Sequence, residues 1–145
     1  KNDFLNIINE DEQEDTDDLV TIYGSLVDLE GAYQLYFFED LMSETTGFRA
    51  SFPGDADPAV VQASYQELAR KVEALTLSCC PLFKEDEKIE GNRFSQTFKF
   101  HDPEGNLDIG YQNMVIDVCT EQIEVFDDEG NLMSEWEPVI YIYKL

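Results

Sequence analysis

A chain of 145 residues has the size of one domain that can bury a substantial core, and its 43% apolar and 12% aromatic residues exclude disorder throughout. The 32 acidic and 9 basic side chains give a formal net charge of −23, which opposes direct binding to nucleic acid or to an anionic membrane. One His and three Cys are too few for a His-rich metal site or an even set of disulfides, so most catalytic and metal chemistries are excluded.

The N-terminal segment combines a small apolar patch with a dense run of acids. The spacing of Phe4, Ile7 and Ile8 predicts a short helix. Seven carboxylates lie between positions 10 and 18, and their mutual repulsion favours a solvated loop. We therefore expect an acidic N-terminal segment, residues 1–18, followed by a single α+β domain over residues 19–145.

Three short runs after the acidic segment have the composition of β-strands. β-Branched and aromatic residues dominate these runs, at residues 20–23, 33–38 and 47–52. The apolar spacing across residues 17–42 also fits a helix. Gly24 and Gly31 would each cost that helix about 1 kcal/mol relative to Ala, so three antiparallel strands are favoured.

One helix is predicted with both of its ends defined. Asp57 can accept backbone N–H groups as the N-cap, and Pro58 fits the first helical position, where a missing donor costs nothing. Apolar residues then recur at helical spacing, at Val61, Tyr65, Leu68, Val72 and Leu75. A helix over about residues 58–77 follows, and Pro81 stops it. Residues 84–88 are expected to form an exposed connector.

The C-terminal part contains a weak internal repeat. Residues 98–107 resemble residues 123–132, and each copy places Gly and Asn after acids, as hairpin turns do. Strands are expected near residues 93–101, 107–118, 121–127 and 134–143. The whole chain is therefore predicted to be α+β: an antiparallel sheet of about six or seven strands with one main helix packed on one face.

Residues that carry enzymatic chemistry are sparse. His101 and Cys119 are the one conceivable Cys–His pair, but the acids Asp117 and Glu121 beside the thiol disfavour a thiolate, which predicts an inert cysteine. Acids are so numerous that a pair at glycosidase spacing carries little information. The sequence contains no EF-hand, phosphate-binding glycine loop or nucleophile elbow. We predict that the protein is not an enzyme and that it has no cofactor and no metal site.

The expected compartment follows from two features. No stretch approaches the roughly 20 apolar residues of a membrane span. The adjacent Cys79 and Cys80 form a geometry that rarely bridges, and Cys119 stands alone, which favours a reducing compartment. We expect a cytoplasmic protein; because the sequence begins at Lys1, a signal peptide removed upstream is the alternative.

The acids are segregated along the chain. Residues 1–50 hold 13 acids and 2 bases and residues 101–145 hold 11 and 1, whereas residues 51–100 hold 8 and 6. If the fold joins the two acidic segments, they form one negative face that attracts a basic protein, with aromatic side chains supplying contact area. The predicted partner-binding residues are Asp11, Glu12, Glu14, Asp15, Asp17, Asp18, Asp102, Glu104, Asp127, Asp128, Glu129 and Trp136.

Several apolar runs occur in a characteristic order. The first three are Val20-Thr21-Ile22-Tyr23, Tyr33-Gln34-Leu35-Tyr36-Phe37-Phe38 and Phe48-Arg49-Ala50-Ser51-Phe52-Pro53, and further runs follow at residues 82–87, 94–100 and 105–111. In this order, over about residues 19–111, the chain resembles the bacterial YezG/EsaG family of immunity proteins, which neutralise nuclease toxins. The resemblance implies an antitoxin whose partner is a nuclease.

Composition and resemblance together suggest an acidic inhibitor. Such an immunity protein would cover the substrate groove of a basic nuclease toxin and place carboxylates where phosphates would lie. Two alternatives stay open. One is a phage-encoded DNA mimic that acts on restriction or CRISPR machinery. The other is a processed extracytoplasmic, lipoprotein-like module in which the acidic run is a linker.

Overall fold

The computed structural model describes residues 8–15, 20–25, 28–75, 80–107 and 111–144. Over these ranges the chain forms an antiparallel sheet and one helix, which confirms the predicted α+β class. The elements in chain order are β1 (Ile8–Asp15), β2 (Val20–Ser25), β3 (Gln34–Asp40), β4 (Thr45–Ser51), α1 (Pro58–Glu73), β5 (Leu82–Glu90), β6 (Arg93–Phe100), β7 (Met114–Phe126) and β8 (Leu132–Lys144).

All eight strands belong to one sheet, in the order β1-β2-β3-β4-β8-β7-β6-β5. Each neighbouring pair is antiparallel. The C-terminal strand β8 therefore lies in the middle of the sheet, between β4 and β7, whereas β1 and β5 form its two edges. The described residues form eight strands, against about six or seven predicted, because two segments expected to be irregular are paired and two predicted strands are parts of one.

Those two segments were predicted wrongly as irregular. Residues 84–88, expected as a connector, lie inside β5, which pairs with β6 through a bulge between Lys84 and Asp86. Residues 10–15 of the expected acidic loop lie in β1, which pairs with β2. Charged side chains are tolerated on an edge strand because they blunt further pairing there. The remainder of the predicted helix and loop, residues 1–7 and 16–18, lies outside the described residues.

The helix begins as predicted and ends earlier. The Asp57 side chain accepts a hydrogen bond from the Ala59 backbone N–H at 2.9 Å, and Pro58 is the first helical residue. The helix ends at Glu73 rather than near residue 77, with Ala74 as its C-cap. Its buried stripe consists of Val61, Tyr65, Ala69 and Val72, while Leu68 is partly buried and Leu75 is 51% exposed.

The core lies between this stripe and one face of the sheet. The Tyr65 ring lies 5.5 Å from the Phe94 ring of β6, and Phe37 of β3 lies 5.2 Å from Phe48 of β4. Ala50, Ile116, Val118 and Ile140 belong to the same buried cluster. Because side chains alternate along a strand, the residues next to these in sequence point to the opposite side, which we call the open face.

The longest hairpin combines two predicted strands. The segments expected at residues 107–118 and 121–127 are parts of one 13-residue strand, β7, which begins only at Met114. β8 is also 13 residues long and pairs with β7 along its whole length. Residues 127–131 close the hairpin at the turn that the internal repeat predicts.

Candidate functional site

The two predicted acidic turns lie far apart. Asp102 and Glu104 precede the start of β7. Asp127, Asp128 and Glu129 follow its end, and a strand of 13 residues is about 40 Å long. Because β7 is one continuous strand, the turns lie at its opposite ends. The single negative face considered in the sequence analysis is therefore not formed by these residues.

The N-terminal acids occupy a third location. Asp11 is exposed on β1, at the edge of the sheet. The backbone of three more predicted residues belongs to the same strand: Glu12, Glu14 and Asp15. Strands β2, β3 and β4 separate β1 from β8, a distance of about 19 Å at the usual strand spacing. Asp17 and Asp18 lie outside the described residues.

Two of the predicted acids hold the turns in which they lie. The Asp102 carboxylate accepts hydrogen bonds from the backbone N–H groups of Asn106 and Leu107, both at 2.8 Å. In the β7–β8 turn, the Asp127 carboxylate accepts the backbone N–H of Asn131 at 2.8 Å and its side-chain amide at 3.0 Å. The two copies of the internal repeat therefore build the same kind of Asx-stabilised turn.

These hydrogen bonds favour the charged carboxylates. The Leu107 backbone N–H holds the pKa of Asp102 below its usual value, and the Asn131 side chain does the same for the pKa of Asp127. Both acids are therefore engaged within the chain. The neighbouring Asp128 and Glu129 are exposed at the tip of the hairpin and are better placed to meet a partner.

The β7–β8 hairpin extends beyond its neighbours. β6 pairs with β7 only as far as Cys119, and β4 pairs with β8 only from Val139 onward. From Glu121 to Glu137 the two strands pair with each other, apart from one bridge between Asp55 and Trp136. We call residues 121–137 the β7–β8 arm. Its six residues before the turn correspond to a ribbon about 20 Å long.

The arm is acidic and apolar at once. Residues 121–137 contain seven acids and no Lys or Arg. Phe126 and Leu132 are paired across the two strands next to the turn, and they are 74% and 57% exposed. Met133, on the other side of the ribbon, is 42% exposed. The arm thus presents apolar side chains within a purely negative surface.

Trp136 fixes the base of the arm. Its backbone N–H donates to the Asp55 carbonyl at 3.1 Å, and its carbonyl accepts the Asp55 N–H at 3.0 Å. A Cβ atom at Gly54 would lie 2.6 Å from the Trp136 carbonyl oxygen, so only glycine allows this approach. The predicted partner-binding residue Trp136 is itself half-buried, and its backbone has a structural role.

A buried ionic cluster on the open face was not found from the sequence. The Arg49 guanidinium donates from Nη2 to Glu121 at 2.9 Å and to Glu137 at 2.8 Å. Its Nε donates to the Tyr141 hydroxyl at 3.0 Å, and its Nη1 donates to Ser51. The Arg49 and Glu137 side chains are only 10% and 1% exposed, so this ion pair is largely shielded from water.

Tyrosine hydroxyls complete the cluster. Tyr33 donates to Glu137, and Tyr141 donates to Glu121 at 2.7 Å. Burial and the hydrogen bond to Glu137 raise the pKa of Tyr33 to about 12, because its ionisation would place a second negative charge beside that carboxylate. Burial alone would lower the pKa of Arg49, but its carboxylate and tyrosine partners raise it, so the guanidinium stays charged.

This arrangement does not resemble an acid–base pair. Glu121 and Glu137 lie opposite each other on β7 and β8, yet Arg49 binds both. Glu137 is only 1% exposed and also accepts the Tyr33 hydroxyl, so it does not face an open site where a substrate could bind. The cluster therefore joins β4, β7 and β8 electrostatically at the base of the arm.

The Cys–His pair of the sequence analysis is not assembled. Cys119 lies within β7 opposite Ser95 and Val139, whereas His101 is exposed beyond the end of β6 and packs edge-on against Phe83. Burial, Glu121 and Asp117 raise the pKa of Cys119 to about 12. A thiol with that pKa is almost wholly protonated at neutral pH and is a poor nucleophile.

An apolar cavity of about 300 Å³ lies between α1 and the sheet. Most of its lining comes from the core, including Leu35, Phe48, Leu68, Val72 and Ile140, with Asp28, Glu30 and Lys71 among its charged residues. In the described ranges no three His, Cys, Asp or Glu side chains are grouped to hold a metal ion.

No helix in the described ranges is both long enough and apolar enough to cross a membrane. No protein-family model, curated protein or solved structure matches the chain. Its function is therefore inferred from its own residues and from the order of its elements.

Proposed function

We propose that this chain is an acidic inhibitor of a basic protein, and specifically an immunity protein that neutralises a nuclease toxin by covering its substrate groove. The observation that carries the proposal is the net charge of −23 together with exposed acids at the hairpin tip and on the edge strand β1. The resemblance in element order to the YezG/EsaG immunity proteins supports the choice of a nuclease as the partner.

The distribution of positive charge supports the same proposal. Basic side chains among the described residues that form ion pairs with acids of this chain include Arg49, Lys71, Lys84, Lys88 and Lys99. Arg49 pairs with Glu121 and Glu137 at the base of the arm, and the four lysines pair with acids outside the arm, so the other five acids of the arm keep their negative field. A field of one sign accelerates encounter with an oppositely charged groove, and apolar contacts then slow dissociation. Carboxylates in that groove would compete directly with nucleic-acid phosphates. No catalytic step by this chain is required.

The test is capture of the partner followed by inhibition. The full chain, immobilised and incubated with lysate of its native host, should retain a basic nuclease that mass spectrometry identifies. The purified nuclease should lose activity at a 1:1 ratio of chain to enzyme. Association should slow by at least tenfold between 50 and 500 mM NaCl, because salt screens the attraction.

A matched pair of variants separates location from total charge. Asp128→Asn with Glu129→Gln should slow association more than Glu73→Gln with Glu90→Gln, which removes the same charge from exposed positions elsewhere. Recovery of no basic protein, or a captured nuclease that keeps its full activity, would contradict the proposal. Capture of restriction or CRISPR proteins instead would support the DNA-mimic alternative.

A further inference from the structure

The arm carries an exposed apolar strip that the fold itself leaves uncovered. Phe126 and Leu132 are Cα partners, and 74% and 57% of their surfaces are exposed. Buried phenylalanines of the core, such as Phe37 and Phe98, are at most 1% exposed. A contiguous exposed apolar strip on a protein of this charge is a feature of interaction surfaces.

The charges around the strip define what can cover it. Glu124 lies on the same face of β7 as Phe126, two residues before it, and is exposed. Asp128 and Glu129 lie in the adjoining turn. A neutral apolar surface would bury these carboxylates without partners, at a large desolvation cost. A partner surface with Lys or Arg side chains around an apolar cleft would cover the apolar side chains and pair with the carboxylates.

The shape of the arm suits a concave site. Glu121, Trp136 and Glu137 are anchored to Arg49 and Asp55, so the free part of the ribbon, residues 123–126 and 132–135, extends about 13 Å beyond them. Its two strands are about 4.8 Å apart, so the ribbon is narrower than a nucleic-acid duplex. A ribbon of this width fits within a groove that accepts a nucleic-acid duplex.

We propose that the β7–β8 arm is the docking element of this chain, and that Phe126 and Leu132 enter an apolar cleft bordered by Lys or Arg side chains of the partner. Glu124, Asp128 and Glu129 pair with those cations. This inference rests on the proposed function and adds to it the element and the side chains that make contact. Apolar burial sets the residence time, and the acids set the orientation.

Two synthetic peptides with blocked ends serve as probes: Lys-Lys-Trp-Lys-Lys-Leu-Lys-Lys, and the same peptide with Gly in place of Trp and Leu. Binding to the full chain is followed by NMR with labelled amide and methyl groups, at 20 and 300 mM NaCl. The apolar peptide should bind about tenfold more tightly than its glycine counterpart, since one large apolar side chain is buried. Chemical-shift changes of methyl groups should be largest at Leu132, which shares a face of the ribbon with Phe126, and smaller at Val125 and Met133 on the other face.

Three variants locate the contact. Phe126→Thr and Leu132→Thr should each remove most of the tenfold preference while keeping the strand propensity of their positions. The control is Ile89→Thr: Ile89 is 64% exposed and lies beside the turn of the β5–β6 hairpin, so it matches Phe126 in setting. The Ile89→Thr variant should keep the full preference for the apolar peptide. Amide spectra that match the parent chain confirm that each variant is folded.

The outcomes separate failure of the assignment to the arm from failure of the proposed function. Equal binding of the two peptides, or methyl shifts that concentrate at the cavity around Leu68, would overturn the assignment to the arm but leave salt-dependent cation binding intact. If neither peptide binds at 20 mM NaCl, the attraction on which the proposed function depends is absent, and both proposals fail.

Discussion

The Arg49 side chain donates hydrogen bonds to four other side chains, those of Ser51, Glu121, Glu137 and Tyr141. Its guanidinium contacts side chains of β4, β7 and β8, and the aromatic rings of Tyr36 and Tyr141 lie 5.6 and 5.7 Å from it. A buried pair of this kind offers little net stability over apolar residues, but loss of one member leaves an uncompensated charge. The cluster therefore specifies how the long hairpin attaches to β4.

We expect Arg49→Leu to lower the free energy of unfolding by about 3–5 kcal/mol, because Glu137 would remain buried without its cation. Urea denaturation followed by circular dichroism measures the change. Adding Glu137→Gln should recover part of the loss. The exposed Arg70→Leu serves as the control and should change stability by less than about 0.5 kcal/mol. Similar losses for Arg49→Leu and Arg70→Leu would contradict the role given to the cluster.

Tyr65 differs from Arg49 because its buried polar group has no partner. Its hydroxyl oxygen is buried and has no hydrogen-bond partner among the described residues, while its ring packs against Phe94. We expect Tyr65→Phe to raise the free energy of unfolding by about 1 kcal/mol, because an unsatisfied buried polar group is removed and the ring contact stays. Tyr141→Phe, which loses a 2.7 Å hydrogen bond to Glu121, should lower it instead. Thermal denaturation of both variants decides the point.

Cys119 gives a third expectation at this scale. With a pKa of about 12, roughly one thiol in 10,000 is ionised at pH 8. Alkylation of Cys119 by iodoacetamide in the folded protein should therefore be slower by more than a hundredfold than in the protein unfolded by urea. Peptide mass spectrometry quantifies the modified fraction. Rapid modification of native Cys119 would show a thiolate and reopen a catalytic role.

The Arg49 cluster could not be predicted from the sequence. Arg49 is separated by 72 residues from Glu121 and by 88 residues from Glu137. Neither carboxylate differs in local pattern from the other acids of the chain. Only the insertion of β8 between β4 and β7 brings the three together, and that strand order is not encoded in local spacing.

Among the elements, those with local determinants were predicted best. Asp57 and Pro58 define the start of α1 because capping involves groups within one turn. The predicted end of the helix was wrong, because Leu75 matches the apolar spacing but is 51% exposed. β5 was missed because its residues after Leu82 are exposed on both faces, so no alternation marks it as a strand. Cross-strand pairing with β6 defines it instead.

The turn of the β7–β8 arm should depend on one aspartate. Asp127→Ala removes the acceptor for both N–H groups of Asn131 and should increase amide exchange in the arm, whereas Asp128→Ala, at an exposed neighbouring position, should not. Hydrogen–deuterium exchange at the amides of Val125 and Met133, the hydrogen-bonded pair nearest the turn, measures the effect. Equal exchange in the two variants would contradict a role for the Asp127 carboxylate.

The same turn should respond to acid. Hydrogen bonds lower the pKa of Asp127 in the folded protein, so the turn is stabilised above the pKa of an unfolded aspartate, about 4. That contribution is lost as the pH falls through the lower folded value. The protection factors of the arm amides, which are corrected for the pH dependence of intrinsic exchange, should therefore fall as the pH drops below about 4, and Asp127→Asn should reduce this pH dependence. If Asp127→Asn and the parent chain showed the same pH profile, the acid response could not be assigned to the Asp127 carboxylate.

At the scale of the whole molecule, net charge should weaken the folded state. A charge of −23 repels itself most strongly in the compact form, and raising NaCl from 20 to 500 mM shortens the screening length from roughly 20 to 4 Å. We expect the melting temperature to rise by a few degrees over this range. Differential scanning calorimetry measures it. A fall with salt would mean that the surface ion pairs of Lys71, Lys84, Lys88 and Lys99 outweigh the repulsion.

The sheet edges have a consequence for the concentrated protein. Within the described residues the sheet ends at two edge strands, β1 and β5, and an edge strand is where a strand of another copy could add and start a fibril. Both borders consist mainly of charged residues: β1 has the sequence INEDEQED and β5 contains KEDEKIE. Two β1 borders would bring like charges together, and the bulge in β5 interrupts a straight template. The acids that we propose to meet a partner thus also oppose aggregation.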